Sequence, residues 1–226
     1  MPQKFISVII PCYNDGKTIG SIIREVTKSP LVREIIVVDD GSDEETKNIV
    51  QNTGSIKLIT LKENKGKSSA LLCGVDQALS DIIFFVDADL TGFTYQHVDT
   101  LIHAFISGDY DMVLGDKDND VWVFRVFGLS IAFAGDRIVR KQLLIDYRDE
   151  IFKAGYLVEP AMNRVFFHRF RVGKVLLHGV GQINKVKKTG FLGLWNDIIM
   201  HWNFIQFLGF SGYVSQGWYA KRIKAI

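Results

Sequence analysis

Acidic side chains in the first half of the sequence come directly after short apolar runs rich in isoleucine and valine. Asp39 and Asp40 follow one run, Asp87 and Asp89 follow another, and Asp15 lies shortly after the first. Carboxylate oxygens are the ligands that Mg²⁺ and Mn²⁺ prefer in proteins, and a cation held in this way neutralises the charge of a phosphate group. These residue types therefore predict cation-assisted chemistry on a phosphorylated ligand.

Asp87 and Asp89 form the sharpest of these motifs. The tripeptide Asp-x-Asp occurs four times in the sequence, but only this copy directly follows a continuous apolar run, Ile82–Val86. Two carboxylates at the end of a buried strand are costly unless a cation or hydrogen-bond donors compensate for the lost hydration. The motif favours a metal site, with a helix N-cap or a surface turn as the alternative.

Short apolar runs alternate with segments of helical periodicity. The runs span Phe5–Ile10, Glu34–Val38, Ile56–Leu61 and Ile82–Val86, and the helical segments span Lys17–Lys28, Glu44–Gln51 and Lys67–Ala78. Continuous apolar strands separated by helices are typical of a parallel sheet that is covered on both faces. In such a sheet the ligand binds at the carboxyl ends of the strands, where the acidic residues lie. Further along, Asp136–Leu144 has helical spacing and Arg171–Leu177 is predicted to be a strand.

Composition and missing motifs exclude several classes of protein. With 47% hydrophobic and 23% charged residues, the chain is neither disordered nor collagen-like. No Gly-x-Gly-x-x-Gly follows the first strand and no Gly-Lys-Ser/Thr loop is present, which argues against a dinucleotide dehydrogenase and a P-loop enzyme. Cys12 and Cys73 are too few for a disulfide framework and are predicted to be buried and inert. Since no signal peptide opens the chain, a cytoplasmic location is expected.

Charge is distributed unevenly along the chain. Residues 1–164 carry a net charge of −6, whereas residues 165–226 carry +8 and three of the four tryptophans. Polar residues interrupt the uncharged stretch Ile198–Ala220, so it does not fit a transmembrane helix. An aromatic helical face bracketed by basic residues predicts an interfacial helix, with peripheral membrane contact through residues 190–226. The alternative is that this face packs on the domain or forms a contact in a homo-oligomer.

Several motifs occur together in an order that resembles the family 2 glycosyltransferases of the GT-A fold. They are SVIIPCYND at Ser7–Asp15, EIIVVDDGSDEET at Glu34–Thr46, ENKGKSSALLCG at Glu63–Gly74 and IIFFVDADL at Ile82–Leu90, followed by weaker matches at Phe133–Leu144, Gly155–Asn163 and Val172–Val180. The resemblance implies a Rossmann-like, three-layer α/β/α fold with a mostly parallel central sheet. We expect a catalytic domain over residues 1–180, divided into a nucleotide-binding half (1–114) and an acceptor half (115–180). A C-terminal amphipathic helical appendage would follow over residues 181–226.

The resemblance also implies an activity and a set of ligands. The chain is expected to be an inverting, metal-dependent glycosyltransferase that moves a sugar from a nucleoside-diphosphate sugar, with UDP as the first choice of nucleotide. The acceptor is left open, and a polyprenyl phosphate or another membrane-associated acceptor is one option. Mg²⁺ or Mn²⁺ is the expected cofactor, and no nucleic-acid partner is predicted. One rival interpretation is a catalytically silent sugar-nucleotide-binding or membrane-scaffold protein. Another is a nucleotidyltransferase, but the glycine-rich signature of that class is missing from Pro11–Gly16.

Site residues are assigned by the same resemblance, position by position. Pro11, Tyr13 and Asp15 would line the nucleotide pocket, Asp39 or Asp40 would hydrogen-bond the base or ribose, and Asp87 and Asp89 would face the diphosphate and its metal. His178 would be a third metal ligand, with Gln182 as a competing polar contact. Asp15 stands where the family usually has a glutamate, and Thr91 stands where polyprenyl-phosphate sugar synthases commonly have a glutamine.

Two carboxylates are candidates for the general base that a hydroxyl acceptor would need. Glu159, in the segment that resembles the family's catalytic acidic region, is the first, and Asp136 is the second. Each has a structural alternative, because Glu159 could cap the helix that follows it, and Asp136 could cap its own helix and pair with Arg140. Lys67 opens a helix after a glycine turn, a position that suits an anionic ligand, or else a solvated lysine.

Overall fold

A central seven-stranded sheet is the core of the fold in the computed structural model, which describes residues 5–118, 134–183 and 191–226. The strands of this sheet are β1 (Ile6–Cys12), β2 (Val32–Asp39), β3 (Lys57–Thr60), β4 (Ile82–Phe85), β6 (Met112–Lys117), β7 (Arg137–Arg140) and β8 (Val172–Leu177). Two short strands, β5 (Leu90–Thr91) and β9 (Gly181–Gln182), form a separate antiparallel pair. The apolar residues at 124–133 and the basic residues at 185–188 lie outside the described residues.

Helices lie between and after these strands. They are α1 (Gly16–Thr27), α2 (Glu44–Gln51), α3 (Lys67–Gln77), α4 (Tyr95–Gly108), α5 (Lys141–Asp146), α6 (Arg148–Phe152), α7 (Val158–Phe166) and α8 (Phe191–Arg222). A single turn of 3₁₀ helix, Gly155–Leu157, precedes α7. Helix α8 contains a break at Gly209, whose φ of 71° is not helical. Among the helices described, none has the length and apolar character required to span a bilayer.

The strand order is β3-β2-β1-β4-β7-β6-β8. Neighbouring strands β1 to β4 are parallel, and β6 is parallel to β8, while β7 runs antiparallel to both β4 and β6. Because β1 to β4 run in one direction, their carboxyl ends meet at one edge of the sheet, where the acidic motifs lie. The four predicted strands and the three helices between them are confirmed, with boundaries that differ by one or two residues.

Alternate side chains of the central strands enter two hydrophobic clusters on opposite faces of the sheet. Val8 and Ile10 of β1 pack with α1 and α4, whereas Ile9, between them, packs on the other face with residues of α3 and α7. This alternation explains why the strands are continuously apolar, since neither face is exposed to water. The result is a three-layer α/β/α arrangement that holds the carboxyl ends of the strands rigidly.

The helix predicted over Asp136–Leu144 is wrong in its first half. Arg137–Arg140 is strand β7, and helix α5 begins only at Lys141. The four residues hydrogen-bond to β4 on one side and to β6 on the other, so tertiary pairing outweighs the local helical spacing. Asp136 therefore lies at the start of a strand and caps no helix.

The C-terminal segment contacts the rest of the chain at several points. Gln182 of β9 reaches Asp87, and Ala220 and Ile223 belong to one of the two main hydrophobic clusters. The predicted boundary after residue 180 separates β9 from its partner β5. Residues 181–226 thus share contacts with residues 1–180, and their treatment as a separate unit remains a prediction.

Candidate active site

A lysine bridges two carboxylates at the carboxyl edge of the sheet. The Lys67 Nζ lies 2.7 Å from Oδ1 of Asp87 and 2.5 Å from Oε1 of Glu159. Lys67 is the first residue of α3, Asp87 follows β4, and Glu159 is in the first turn of α7. Three elements that are distant in the sequence therefore bring one cation and two anions together. Glu159 thus lies in the first turn of a helix, as its structural alternative required, and it also forms an ion pair with Lys67.

A second, fully buried pair supports Asp87 from behind. Asp136 is 0% exposed; its Oδ2 accepts a hydrogen bond from the Lys117 ammonium at 2.8 Å and its Oδ1 accepts one from the Asp87 backbone N–H at 3.1 Å. Neighbouring Gly135 makes room for this arrangement, because a Cβ there would lie 2.3 Å from the Asp87 carboxylate. Asp136 pairs with Lys117, and Arg140 pairs with Asp109 and Asp111. The ion pair between Asp136 and Arg140 that the sequence offered as an alternative does not form.

The electrostatics of the cluster keep Asp87 ionised. Burial by itself would raise the pKa of Asp87, but Lys67 and Lys117 outweigh it and lower that pKa to about 2. Burial likewise tends to lower the pKa of Lys67, but the charges of Asp87 and Glu159 raise it well above its ordinary value. Burial raises the pKa of Asp136, with Lys117 opposing the effect. Asp87 is therefore an anion and Lys67 a cation at any physiological pH.

Asp89 is in the opposite situation. Burial, followed by the negative charges of Asp87 and Asp15, raises the pKa of Asp89 to about 6. No described residue donates a hydrogen bond to its carboxylate. A carboxylate that is short of positive charge, next to a second carboxylate, is a donor set suited to a hard divalent cation. Among the described residues, no group of three or more His, Cys, Asp or Glu side chains is arranged to hold a metal by itself.

Asp39 and Asp40, at the end of β2, have different surroundings. Both oxygens of Asp40 are used within the chain, because they accept backbone hydrogen bonds from Lys65 at 2.7 Å and Gly66 at 2.8 Å. Asp39 accepts from the Ser42 backbone with Oδ1, but its Oδ2 has no partner. Within the described part of the chain, this is the single buried side-chain polar atom without a hydrogen bond. An unpaired buried acceptor is costly, and an ordered water or a ligand group would supply the missing donor.

The loop after β1 lies beside Asp39 and presents Tyr13. Asn14, with a φ of 57°, ties this loop to the next one through hydrogen bonds with Ser42 and Asp43. The Tyr13 ring is 48% exposed, Pro11 is the penultimate residue of β1, and Asp15 immediately precedes α1. The Asp15 carboxylate also accepts a hydrogen bond from the Tyr13 backbone at 3.3 Å. The structure thus brings the predicted nucleotide-pocket residues to one edge, next to Asp39.

Gln182 rather than His178 lies against Asp87. The Gln182 side-chain amide donates to Oδ2 of Asp87 at 3.0 Å, from strand β9. The His178 ring is largely exposed and its Nδ1 lies 3.2 Å from the Asp118 carboxylate. Metal ligation by His178 stays a prediction.

Sequence reasoning missed several residues of the site. Lys117 and Gly135 contact the carboxylates directly, whereas Arg137 and Asn163 form a buried hydrogen bond of 3.2 Å behind them. Lys117 is the last residue of β6 and stands among Asp116, Asp118 and Asp120, so the sequence gives no signal that its ammonium is buried. Its partner could not be named from the sequence, since 19 positions separate Lys117 from Asp136.

Comparison with known proteins gives a family for this arrangement. The family model described as "Glycosyl transferase family 2" matches residues 7–168. Among curated proteins, the CsbB protein of Bacillus subtilis (strain 168), which carries a glycosyltransferase name, is 29% identical over 72% of this chain and 51% of its own length. The 4,4'-diaponeurosporenoate glycosyltransferase of Staphylococcus aureus (strain USA300) is 32% identical over 46% of this chain and 28% of its own. The chain thus spans about half, or less, of the length of these relatives.

Solved structures share the fold. Glucosyl-3-phosphoglycerate synthase of Mycobacterium tuberculosis, in complex with Mn²⁺, UDP and glucosyl-3-phosphoglycerate, superposes with a TM-score of 0.68 at 22% identity, covering 84% of this chain and 76% of that one. The complex of the same enzyme with Mg²⁺ and UDP gives a TM-score of 0.67. This likeness confirms the predicted GT-A fold, and the family match covers most of the chain. The chain belongs to glycosyl transferase family 2.

Proposed function

We propose that this protein is an inverting, metal-dependent glycosyltransferase that takes a sugar from a nucleoside-diphosphate sugar, with UDP as the nucleotide. The observation that carries the proposal is the junction of Asp87, Lys67 and Glu159 beside the unpaired Asp89. It combines an anionic site for a cation, a lysine for a diphosphate and a carboxylate that can accept a proton. Relatives with glycosyltransferase names, and structural neighbours that bind UDP with Mn²⁺ or Mg²⁺, support the same choice.

The nucleotide would occupy the edge formed by the loops after β1 and β2. Asp39 is the residue we assign to the base or ribose, because its free Oδ2 requires a donor such as a pyrimidine N–H or a ribose hydroxyl. Asp40 holds the loop that contains Lys65 and Gly66 and therefore shapes the pocket indirectly. Tyr13 supplies an exposed ring for contact with the base.

The diphosphate would lie next to Asp87 and Asp89, with the cation on these carboxylates. A bound Mg²⁺ or Mn²⁺ supplies neutralisation of the charge that develops on the departing diphosphate. Lys67 adds a fixed positive charge at the same place, and Gln182 orients the second oxygen of Asp87. Such charges, set in position before the reaction, stabilise a developing anion more effectively than mobile water does.

Glu159 is the group we assign as general base toward a hydroxyl acceptor. Its carboxylate shares Lys67 with Asp87, so a diphosphate that attracts Lys67 would leave Glu159 freer to accept a proton. Asp136 is fully buried and held by Lys117, so we assign it to positioning the Asp87 backbone rather than to proton transfer. A phosphate acceptor would be nucleophilic without a base and would make Glu159 dispensable.

A membrane-associated acceptor is consistent with the surface of α8. Phe210, Val214 and Trp218 recur every four residues and are 71%, 51% and 53% exposed, while the opposite face packs on the domain. Arg222 covers the Trp218 ring, and the chain continues with basic Lys224. Exposed aromatic groups beside cations favour an anionic lipid surface, so we infer peripheral membrane contact here.

The donor side can be tested first by thermal unfolding. UDP with Mn²⁺ should raise the melting temperature of the wild-type protein, and Mn²⁺ should be required for hydrolysis of UDP-glucose as a probe donor. Asp89→Asn should abolish both effects. Because the raised pKa of Asp89 means that its charge costs stability at neutral pH, the same variant should melt at a higher temperature than wild type when no ligand is added. Ligand binding without any hydrolysis would indicate a silent sugar-nucleotide-binding protein instead.

A further inference from the structure

Helix α8 buries a glutamine on the face that packs against the domain. Gln216 is 6% exposed and lies beside Ala220 and Ile223, which belong to a hydrophobic cluster. Burial of an amide in such a place is unfavourable unless both its donor and its acceptor are satisfied. An apolar residue would fit this face at lower cost, so the presence of glutamine calls for a reason.

Both ends of the Gln216 side chain bind helix α7. Its Nε2 donates to the Pro160 carbonyl at 2.9 Å, and its Oε1 accepts from Nδ2 of Asn163 at 3.3 Å. The Oδ1 of the same Asn163 accepts a hydrogen bond from the Arg137 guanidinium at 3.2 Å. Arg137 also donates to the carbonyl of Ala134. A continuous buried chain of hydrogen bonds therefore runs from α8 through α7 to the start of β7.

The chain of hydrogen bonds ends next to the two carboxylates of the candidate site. Pro160 directly follows Glu159 in the first turn of α7, and Arg137 directly follows Asp136. Asp136 in turn holds the backbone of Asp87, and Glu159 holds Lys67. Gln216 therefore holds the backbone of α7 at Pro160 directly, and it is linked to the segment at Arg137 through the Asn163 side chain, without touching the site. Displacements of about 1 Å at a reacting group can lower a rate by on the order of a hundredfold, so such support matters.

We propose that Gln216 is a positioning residue that couples the docking of α8 to the geometry of Glu159 and Asp136. The catalytic consequence rests on the proposed glycosyltransferase function, whereas the mechanical coupling does not. In this arrangement the C-terminal helix completes the active site, because α8 supplies the hydrogen bonds that hold the first turn of α7 in place. The same helix carries the aromatic face on its opposite side.

The test compares two glutamine substitutions on one helix. Gln216→Met keeps the side-chain volume but removes both hydrogen bonds, whereas Gln206→Met makes the same change at an exposed position of α8. With UDP-glucose and Mn²⁺, Gln216→Met should lower kcat for donor turnover about tenfold and change KM for the donor less than about twofold, because the nucleotide edge is untouched. Hydrogen exchange in the segment 158–166 should also become faster. The control should match wild type in each respect.

The outcomes separate the two ideas. A lower melting temperature with unchanged kcat and unchanged exchange in 158–166 would show that Gln216 is only structural and would overturn the proposal. If the wild-type protein neither binds UDP nor turns over the donor, the proposed function fails, but hydrogen exchange still tests the coupling. If Gln216→Met does not fold, native-state hydrogen exchange of the wild-type protein tests the coupling between α8 and α7 instead. Segments 158–166 and 213–222 should open together at the same denaturant concentration, and opening of α8 with α7 still protected would refute the proposal.

Discussion

The nucleotide edge and the junction around Lys67 are built in different ways. At the nucleotide edge, Pro11 and Asp39 are among the last residues of β1 and β2, and Tyr13 and Asp15 lie in the short loop after β1. At the junction, Lys67, Asp87 and Glu159 come from three elements and meet through ion pairs of 2.5–2.7 Å. The nucleotide edge has an unpaired hydrogen-bond acceptor in Asp39, whereas the junction shares one ammonium between two carboxylates and therefore keeps an excess of negative charge.

This difference indicates how each region meets a ligand. The Ser42 backbone holds one oxygen of Asp39, but its unpaired Oδ2 is buried, so a ligand reaches this acceptor only after a small local opening. In the junction a ligand must compete for Lys67 with two carboxylates, so binding and chemistry are linked to a redistribution of charge. Substitutions at the first region should therefore change affinity, and substitutions at the second should change turnover.

The largest expected effect is the difference in alkylation rate between Cys12, at the nucleotide edge, and Cys73, on α3. Cys12, at the end of β1, is 1% exposed, and burial followed by the charge of Asp15 raises the pKa of its thiol to about 12 from 9.0. Cys73 on α3 is only partly buried, which corrects the prediction that both are buried. At pH 8, Cys12 should have a roughly thousandfold smaller thiolate fraction than an ordinary thiol. Burial also raises the pKa of the Cys73 thiol, but this residue is partly exposed, so iodoacetamide should modify Cys73 first, as measured by mass spectrometry.

The raised pKa of Cys12 also predicts how the stability of the protein changes with pH. Because the folded-state pKa is raised, the stability contributed by the neutral Cys12 thiol should be present below pH 9 and lost as the pH rises toward 12. Cys12→Ser removes this dependence and is the control in alkaline unfolding experiments. Equal labelling rates for the two cysteines in the native protein would mean that the nucleotide edge opens readily.

A substitution in the junction should affect turnover. Glu159→Gln keeps the size of the side chain and the helix but removes the proposed base, so sugar transfer should fall about a hundredfold or more while UDP affinity remains near that of wild type. Initial rates with a hydroxyl acceptor, together with UDP titrations, provide the measurement. An unchanged rate would point to a phosphate acceptor, for which no base is required.

A smaller effect is expected at the nucleotide edge, where Asp39 and Asp40 form a matched pair. Asp39→Asn should weaken UDP binding about tenfold, because the amide keeps one acceptor oxygen and replaces the other with an NH₂ group, which cannot accept a hydrogen bond from the nucleotide. The melting temperature should remain nearly unchanged. Asp40→Asn should instead destabilise the protein, since both oxygens of Asp40 accept backbone hydrogen bonds. Calorimetric titration and thermal unfolding of the two variants distinguish the roles. The reverse pattern would assign the nucleotide contact to Asp40.

Residues 1–114 were more predictable than residues 115–180 for a physical reason. Strands β1 to β4 are buried on both faces, so their apolar runs are visible in the sequence, and the residues that follow them must lie at one edge. Strand β7 could not be recognised, because Arg137–Arg140 owes its conformation to pairing with β4 and β6. Asp136 accordingly lies at the start of a strand rather than in a helix, and its Oδ1 accepts a hydrogen bond from the Asp87 backbone.

The C-terminal segment shows the same limit. Its aromatic residues and basic charge were visible in the sequence. The structure shows that one face of α8 packs on the domain, whereas membrane contact by the exposed face stays a prediction. One face of the helix is buried with Gln216 and Ala220, and the other exposes Phe210 and Trp218. Which face of α8 is buried depends on the residues of α7 that lie opposite it, and the local sequence of α8 does not contain that information.

The sequence by itself determined the alternation of strands and helices, the placement of Asp39, Asp87 and Asp89 at strand ends, and the resemblance to a family. These features depend on local periodicity and on the order of short motifs, which the chain carries directly. Only the tertiary structure decided that Lys67 joins Asp87 to Glu159, that Lys117 neutralises Asp136, and that Gln216 reaches Pro160. Those contacts link residues tens of positions apart, and a buried charge or amide finds its partner only when the packed layers bring the two together.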